Sequence, residues 1–333
     1  MLPVNVHTVP RLCGFLLNKL MFKVEGLKPR PLYGPQTICL EVCRSCNLDC
    51  PMCLRTLLPP KERHGYMPFE DIKKILKDIG HSVIGIGLGG WGEPMLHPNF
   101  IEILQTLSSE GLLISFNTNG ALLKDYAGDL LKVRTLYHVG ISFDFIPGTL
   151  NKAHSLIEAL EGVQLLMENK GKRKYPLVRV TATIMKCNVH MLPELVRLIS
   201  RYGATWFDCH EVIIFDAQKF NGPYAPPSRE ELIYYFRKAK EEGVRLGIKV
   251  TYNRKYKDPH EVTGQKKVCI VPWTSMFIDF KGYAHPCCYY LHLNLGQWKG
   301  KDFCDFRLRL LEHKDRFCNN CMDGNMYRNW TRI

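Results

Sequence analysis

Cys46-Asn47-Leu48-Asp49-Cys50-Pro51-Met52-Cys53 places three thiols at C-x3-C-x2-C spacing, directly after an apolar, β-branched run at 37–42. Three cysteines on one tight loop can hold three irons of a 4Fe–4S cube and leave the fourth iron without a protein ligand. Such an iron is open to a small molecule, so the spacing predicts a reactive cluster. Zinc is the alternative. Four-thiol zinc sites use two well-separated pairs. Cys43-x2-Cys46 and Cys50-x2-Cys53 do form two pairs, but the gap between them is short for a zinc ribbon.

Outward from that loop, the 333-residue chain alternates strand and helix patterns. Helical spacing of apolar residues covers 68–79, 99–110, 121–133, 153–169, 193–202 and 228–242. The last has Ser228 as N-cap and Gly243 past its end. Strand-like runs cover 37–42, 83–88, 112–116, 136–143, 177–185 and 206–215. Six strand–helix units of this kind imply parallel βαβ pairing. Periodicity alone does not separate a doubly wound sheet from a barrel, but both put their chemistry on the loops after the strands. The stretch 250–266 reads as a polar connector, and cysteine density rises again from Cys269.

The cysteine loop resembles the signature of radical S-adenosylmethionine (SAM) enzymes. Gly90-Trp91-Gly92-Glu93-Pro94 is similar to that family's glycine–glutamate motif after the second strand. Met52 departs from the aromatic residue the family usually places before the third cysteine. The resemblance implies an α/β fold with a partial (β/α)6 TIM-like barrel at 35–250. Residues 1–34 would be a basic, amphipathic extension, and 251–333 an auxiliary iron–sulfur domain. It also implies SAM bound to the open iron, cleavage to a 5′-deoxyadenosyl radical, and an electron donor such as flavodoxin or ferredoxin.

The resemblance also implies site residues at the strand ends. Gly90 and Gly92 let backbone approach a ligand, and Glu93 can take the ammonium of the bound methionine. Gly87, Gly89 and Gly92 also spell G-x-G-x-x-G, but Pro94 and Pro98 delay the helix that a dinucleotide site needs. Asn117 and Asn119 end the third strand, where ligands meet such barrels; Asn-Gly turn chemistry is the plain alternative for Asn119. Ser142 and Asp144 end the fourth strand and resemble the residues that contact the ribose. Thr181 and Thr183 share one face of the fifth strand. Asp208-Cys209-His210-Glu211 closes the sixth; His210 and Glu211 are candidate proton acceptors, or else an ordinary core histidine and surface acid.

Cys269, Cys287, Cys318 and Cys321 form a second set, two flanking a hairpin that turns at Lys281-Gly282 and two on a later loop. Four thiolates can close a 4Fe–4S cluster completely. The pattern resembles the twitch form of the SPASM domain, with Leu295-Gly296 fitting as well. Cys288 and Cys304 are spare and able to replace a ligand, and a structural zinc is the alternative. Cys13, Cys39, Cys43, Cys187 and Cys209 read as apolar thiols.

A net charge of +13 favours an acidic partner or a solvated basic surface. Residues 11–23 form an amphipathic pattern, with Leu12, Phe15, Leu16 and Leu20 on one side and Arg11, Lys19 and Lys23 flanking. That pattern suits packing across the barrel's base or peripheral membrane contact. The apolar run 12–17 is too short for a signal peptide, and no stretch is long enough to span a bilayer. With fourteen cysteines, this points to a reducing cytoplasm.

The expected activity is that of a radical SAM oxidoreductase or epimerase acting on a small polar or anionic molecule: a sugar, aminoglycoside or lipid headgroup. A maturase of a ribosomally made peptide is the second reading. Such maturases often carry an N-terminal peptide-binding domain, and residues 1–34 are too few to supply one. A non-enzymatic, metal-containing nucleic-acid binder would fit the charge but leaves the cysteine spacings unexplained.

Overall fold

The computed structural model describes residues 3–25, 34–146, 150–212, 221–252, 274–288 and 294–298. The run before the cysteine loop becomes β1 (Thr37–Leu40). Strands and helices then alternate: α2 (Phe69–Asp78), β2 (Gly85–Leu88), α3 (Phe100–Ser109), β3 (Leu113–Thr118), α4 (Leu123–Leu130) and β4 (Leu136–Ser142). The series continues with α5 (Leu150–Lys170), β5 (Leu177–Ile184), α6 (Leu192–Arg201), β6 (Trp206–Glu211), α7 (Arg229–Leu246) and β7 (Lys249–Tyr252).

β1 to β7 are parallel and stand in chain order across the sheet. This order decides between the two architectures. A doubly wound sheet reverses its strand order at a switch point and carries helices on both faces. Here the order never reverses, so right-handed crossovers put the connecting helices on one face. The other face becomes the lumen of a partial barrel. Alternation along the strands follows: Ile38, Leu88, Phe116, Ile141, Val180 and Phe207 are buried in the core beneath the helices. Cys39, Ser115, Thr181 and Asp208 stand on the opposite face.

Two readings change in detail. β7 extends the sheet into the stretch read as polar connector, because Val250 packs into the core. α7 does not stop at Gly243; it runs to Leu246 and ends on Gly247, whose φ of 70° is the left-handed cap. Gly243 lies inside the helix, where a Cβ would meet the Ile248 carbonyl at 2.7 Å. The expected N-cap at Ser228 is present as a full capping box with Glu231.

β8 (Ser275–Ile278) lies parallel beside β1, and β9 (Ala284–His285) returns antiparallel to it. The turn between them falls at Gly282, φ 83°, the predicted point. This hairpin extends the barrel sheet at its β1 edge.

α1 (Thr8–Glu25) includes the predicted amphipathic stretch, but its faces are the reverse of the usual ones. Arg11, 5% exposed, donates to the carbonyls of Glu110, Gly80 and Val83. Asn18, 4% exposed, exchanges two hydrogen bonds with Gly34. Gly14 lies where a Cβ would be 2.5 Å from the His81 carbonyl. These partners precede β1, β2 and β3, so α1 seats on the base of the barrel through polar residues. Leu16 and Leu20, read as part of the apolar side, point outward.

Candidate active site

The cysteine loop leaves the C-terminal end of β1, where the barrel puts its chemistry. Cys46, Cys50 and Cys53 are partly exposed thiols that form no disulfide. The Leu48 amide donates to Cys46 Sγ at 3.4 Å, and Asn119 Nδ2 lies 3.8 Å from the same sulfur. Burial pushes the Cys46 thiol up to about 11, opposed by the Leu48 hydrogen bond. Arg55, 2% exposed, clamps the loop from below: it donates to the Leu48 carbonyl at 2.9 Å and to Asp49 at 2.5 Å. Sequence reading missed Arg55, since nothing in its spacing marks it.

Gly90 and Gly92 serve close packing against β1 and the loop that follows it. A Cβ on Gly92 would stand 2.4 Å from the Cys43 carbonyl and 2.6 Å from Arg44 Cα. One on Gly90 would meet the Glu41 side chain. The motif thereby fits the backbone of one loop into the other, and the Glu93 amide closes the joint by donating to the Ser45 carbonyl at 2.9 Å.

Glu93 itself is 2% exposed, and burial raises its carboxyl to about 7. It accepts from the Met95 amide at 3.1 Å and the Asn119 amide at 2.7 Å. Asn119 also bonds Asn47 at 2.7 Å, so the ends of β2 and β3 both hold the cysteine loop. Asn119 joins the site, and Asn117 faces the lumen with its Oδ1 against Gly140. Asp144 is buried and accepts from the Thr183 amide at 2.6 Å, while Ser142 is partly exposed at the end of β4.

Residues 40–199 match the radical SAM superfamily. These residues form a radical SAM domain. Over 264 residues the chain is 26% identical to the tungsten-containing aldehyde ferredoxin oxidoreductase cofactor-modifying protein of Pyrococcus furiosus, covering 76% of this chain and 71% of that protein. Over 177 residues it is 27% identical to mycofactocin maturase MftC of Mycobacterium tuberculosis, 53% of this chain and 44% of the maturase. It shares a fold with SuiB of Streptococcus suis bound to SAM, at TM-score 0.61 and 16% identity, over 87% of this chain and 68% of SuiB. Radical SAM domains work with SAM and a 4Fe–4S cluster. Three partly exposed thiols outside any disulfide, at C-x3-C-x2-C spacing on one loop, are the donor set such a cluster takes.

On the lumen face of β4 to β7 of the radical SAM domain lies a network that sequence reading only touched. Asp208 on β6 is its centre. It accepts from Arg179 at 2.9 Å and Thr251 at 2.6 Å, and His210 Nε2 lies 3.1 Å away. Burial alone would raise Asp208, but the bonds from His210 and Thr251 and the charge of Arg179 hold it below the usual carboxylate range. Trp206 donates to Thr251 at 2.7 Å, and the Arg179 guanidinium stands 5.3 Å from the Trp206 ring. His138 on β4 is lowered to about 4 by burial and by Arg179. Its Nε2 and Arg179 Nε are buried without a hydrogen-bond partner among the described residues. Glu211 does not join this group: one residue further along β6, it lies on the opposite face and bonds Tyr252.

Against β1, β2, β3 and β8, a largely apolar cavity of about 470 Å3 is lined by residues including Cys39, Gly87, Ser115, Phe277, Cys287 and Cys288. Cys39, read as an inert thiol, faces this cavity, and burial raises it to about 12. Cys287 follows β9 at the cavity wall. Cys269, Cys304, Cys318 and Cys321 lie outside the described residues.

Proposed function

We propose that this radical SAM enzyme oxidises or epimerises a small polar or anionic substrate held in the barrel lumen. Cys46, Cys50 and Cys53 would hold the cluster, and Glu93, Ser142 and Asp144 would position SAM. Cys269, Cys287, Cys318 and Cys321 would hold an auxiliary 4Fe–4S cluster. When bound, the first cluster and SAM supply a 5′-deoxyadenosyl radical that removes a hydrogen atom from a substrate carbon.

The lumen network carries the substrate reading. Arg179 and His138 offer unpartnered donor positions, and Lys249 stands over the Trp206 ring at 4.0 Å, so this wall suits hydroxyls and anionic groups. Oxidation of an alcohol carbon radical to a carbonyl releases one electron and one proton. His210, oriented by Asp208, is placed to accept the proton; the auxiliary cluster would take the electron.

A peptide maturase is the second reading. It is favoured by MftC, named a maturase, and by SuiB, whose structure has also been solved bound to its precursor peptide SuiA. Anaerobic reconstitution tests the common core. The parent should bind about eight irons and form 5′-deoxyadenosine with dithionite; the Cys46/Cys50/Cys53 triple alanine variant should keep about four and form none. No SAM cleavage by the reconstituted parent overturns the proposal. One retained zinc in both proteins, in place of the second set of irons, overturns the auxiliary cluster. Arg179→Met then separates substrates: it should impair turnover of an anionic small molecule while leaving SAM cleavage intact.

A further inference from the structure

α1 carries an apolar stripe that nothing among the described residues covers. At about 100° per residue, positions 9, 13, 16, 17, 20 and 24 fall within one sector of roughly 100°. Leu16, Leu17 and Leu20 in that sector are 63%, 61% and 57% exposed, and Val9 and Val24 are exposed as well. Just before the helix, Val4 and Val6 are also exposed. Most soluble helices bury such a stripe and wet the polar side. Here Thr8, Arg11 and Asn18 do the docking and are almost fully buried, with Arg11 spending its donors on three backbone carbonyls. The orientation is therefore fixed by specific polar bonds, and the apolar stripe is held outward.

Charge indicates what meets it. Residues 1–24 contain no Asp or Glu and include Arg11, Lys19 and Lys23. On the helical wheel Lys19 and Lys23 border the stripe, and both are exposed. Glu25, at the last position, is the one carboxylate of the helix. A second copy docking stripe to stripe would bring the lysines of both copies to one contact with little acid to neutralise them. An anionic bilayer surface matches both features: the leucines and valines enter the headgroup–acyl boundary, and the lysines reach lipid phosphates. No helix among the described residues is long and apolar enough to cross a membrane, so the contact would be interfacial.

We infer that α1 seats the base of the barrel on an anionic lipid surface. α1 bonds to the segments preceding β1, β2 and β3, whereas the cysteine loop leaves the far end of β1. Lipid contact at the base leaves the mouth of the site facing the aqueous phase. The inference stands apart from the proposed reaction.

The test is co-sedimentation of the full chain with phosphatidylglycerol–phosphatidylcholine vesicles and with phosphatidylcholine vesicles alone. The parent should partition onto the anionic vesicles and be released by salt. Leu16→Gln/Leu20→Gln, both at exposed positions, should weaken partition on the order of tenfold or more without changing the unfolding midpoint. Lys19→Glu/Lys23→Glu should abolish the preference for anionic lipid. Equal partition of parent and Leu16→Gln/Leu20→Gln overturns the inference. So does a parent that ignores vesicles and instead forms a dimer that Leu16→Gln/Leu20→Gln dissociates.

Discussion

The indole Nε1 of Trp91 donates to the carbonyl of Cys288 at 2.7 Å. That bond ties the glycine-rich loop after β2 to the segment after β9. The Trp91 amide donates in turn to Glu41 at 2.9 Å, and Arg44 stands 4.6 Å from the Phe280 ring while paired with the same carboxylate. One buried cluster thus joins the ends of β1 and β2 to the hairpin formed by β8 and β9. Trp91→Phe keeps most of the ring but removes this hydrogen bond to the Cys288 carbonyl. It should lower stability by about 1 kcal/mol in urea unfolding. An unchanged midpoint would show that the bond does not tie the hairpin down.

Arg44 and Glu41 form a buried pair, with side chains 7% and 0% exposed. Arg44→Met leaves the Glu41 charge buried and unpaired, which should cost about 3–5 kcal/mol. Glu41→Gln/Arg44→Met removes both charges and should cost clearly less than Arg44→Met alone. Chemical denaturation of the three proteins reads the difference. An equal or larger loss in the double variant would mean that the charge left on Glu41 carries none of the cost.

His138 gives a pH dependence with a definite sign. Its folded-state value of about 4 lies below the ordinary 6.5, through burial and the charge of Arg179, with Asp208 opposing. As pH falls from 6.5 towards 4, the unfolded chain takes up a proton that the folded chain refuses. Stability is therefore full above pH 6.5 and declines through that window. Between pH 7 and pH 5 the parent should lose about 1–2 kcal/mol more than His138→Asn, after discounting for the ring's partial exposure. Parallel pH profiles for the two proteins would rule this out.

Gly92→Ala puts a Cβ against the backbone of Cys43 and Arg44, which cannot swing away as a side chain would. The expected cost is about 1–3 kcal/mol, with fewer irons bound after reconstitution as the cysteine loop shifts. Gly128→Ala is the control: nothing lies within 4 Å of its Cβ, so this helix substitution should stabilise by about 0.5–1 kcal/mol. Normal iron loading in Gly92→Ala would separate the glycine from the cluster loop.

Periodicity in the chain placed every strand of the barrel up to β6, because alternating burial and helical stripes are written locally. It also marked the turn at Gly282 and the capping box at Ser228, whose chemistry lies within a few residues. It did not find β7, where only Val250 is buried between polar neighbours. Arg55, His138 and Arg179 were missed for a different reason: each gains its role from residues on other strands or loops.

The sequence by itself determined the chemistry available to this protein. Three thiols at C-x3-C-x2-C spacing, a glycine–glutamate loop after the second strand and a strand–helix alternation are local patterns, and local patterns survive without a fold. Only the tertiary structure decided direction. Unreversed strand order placed the helices on one side and opened a lumen on the other. One residue of strand pleat sent His210 into that lumen and Glu211 away from it. Three backbone carbonyls drew Arg11 inward and left the leucines of α1 facing out. Which face of an element is wet depends on what packs against it, and those partners lie far away in the chain.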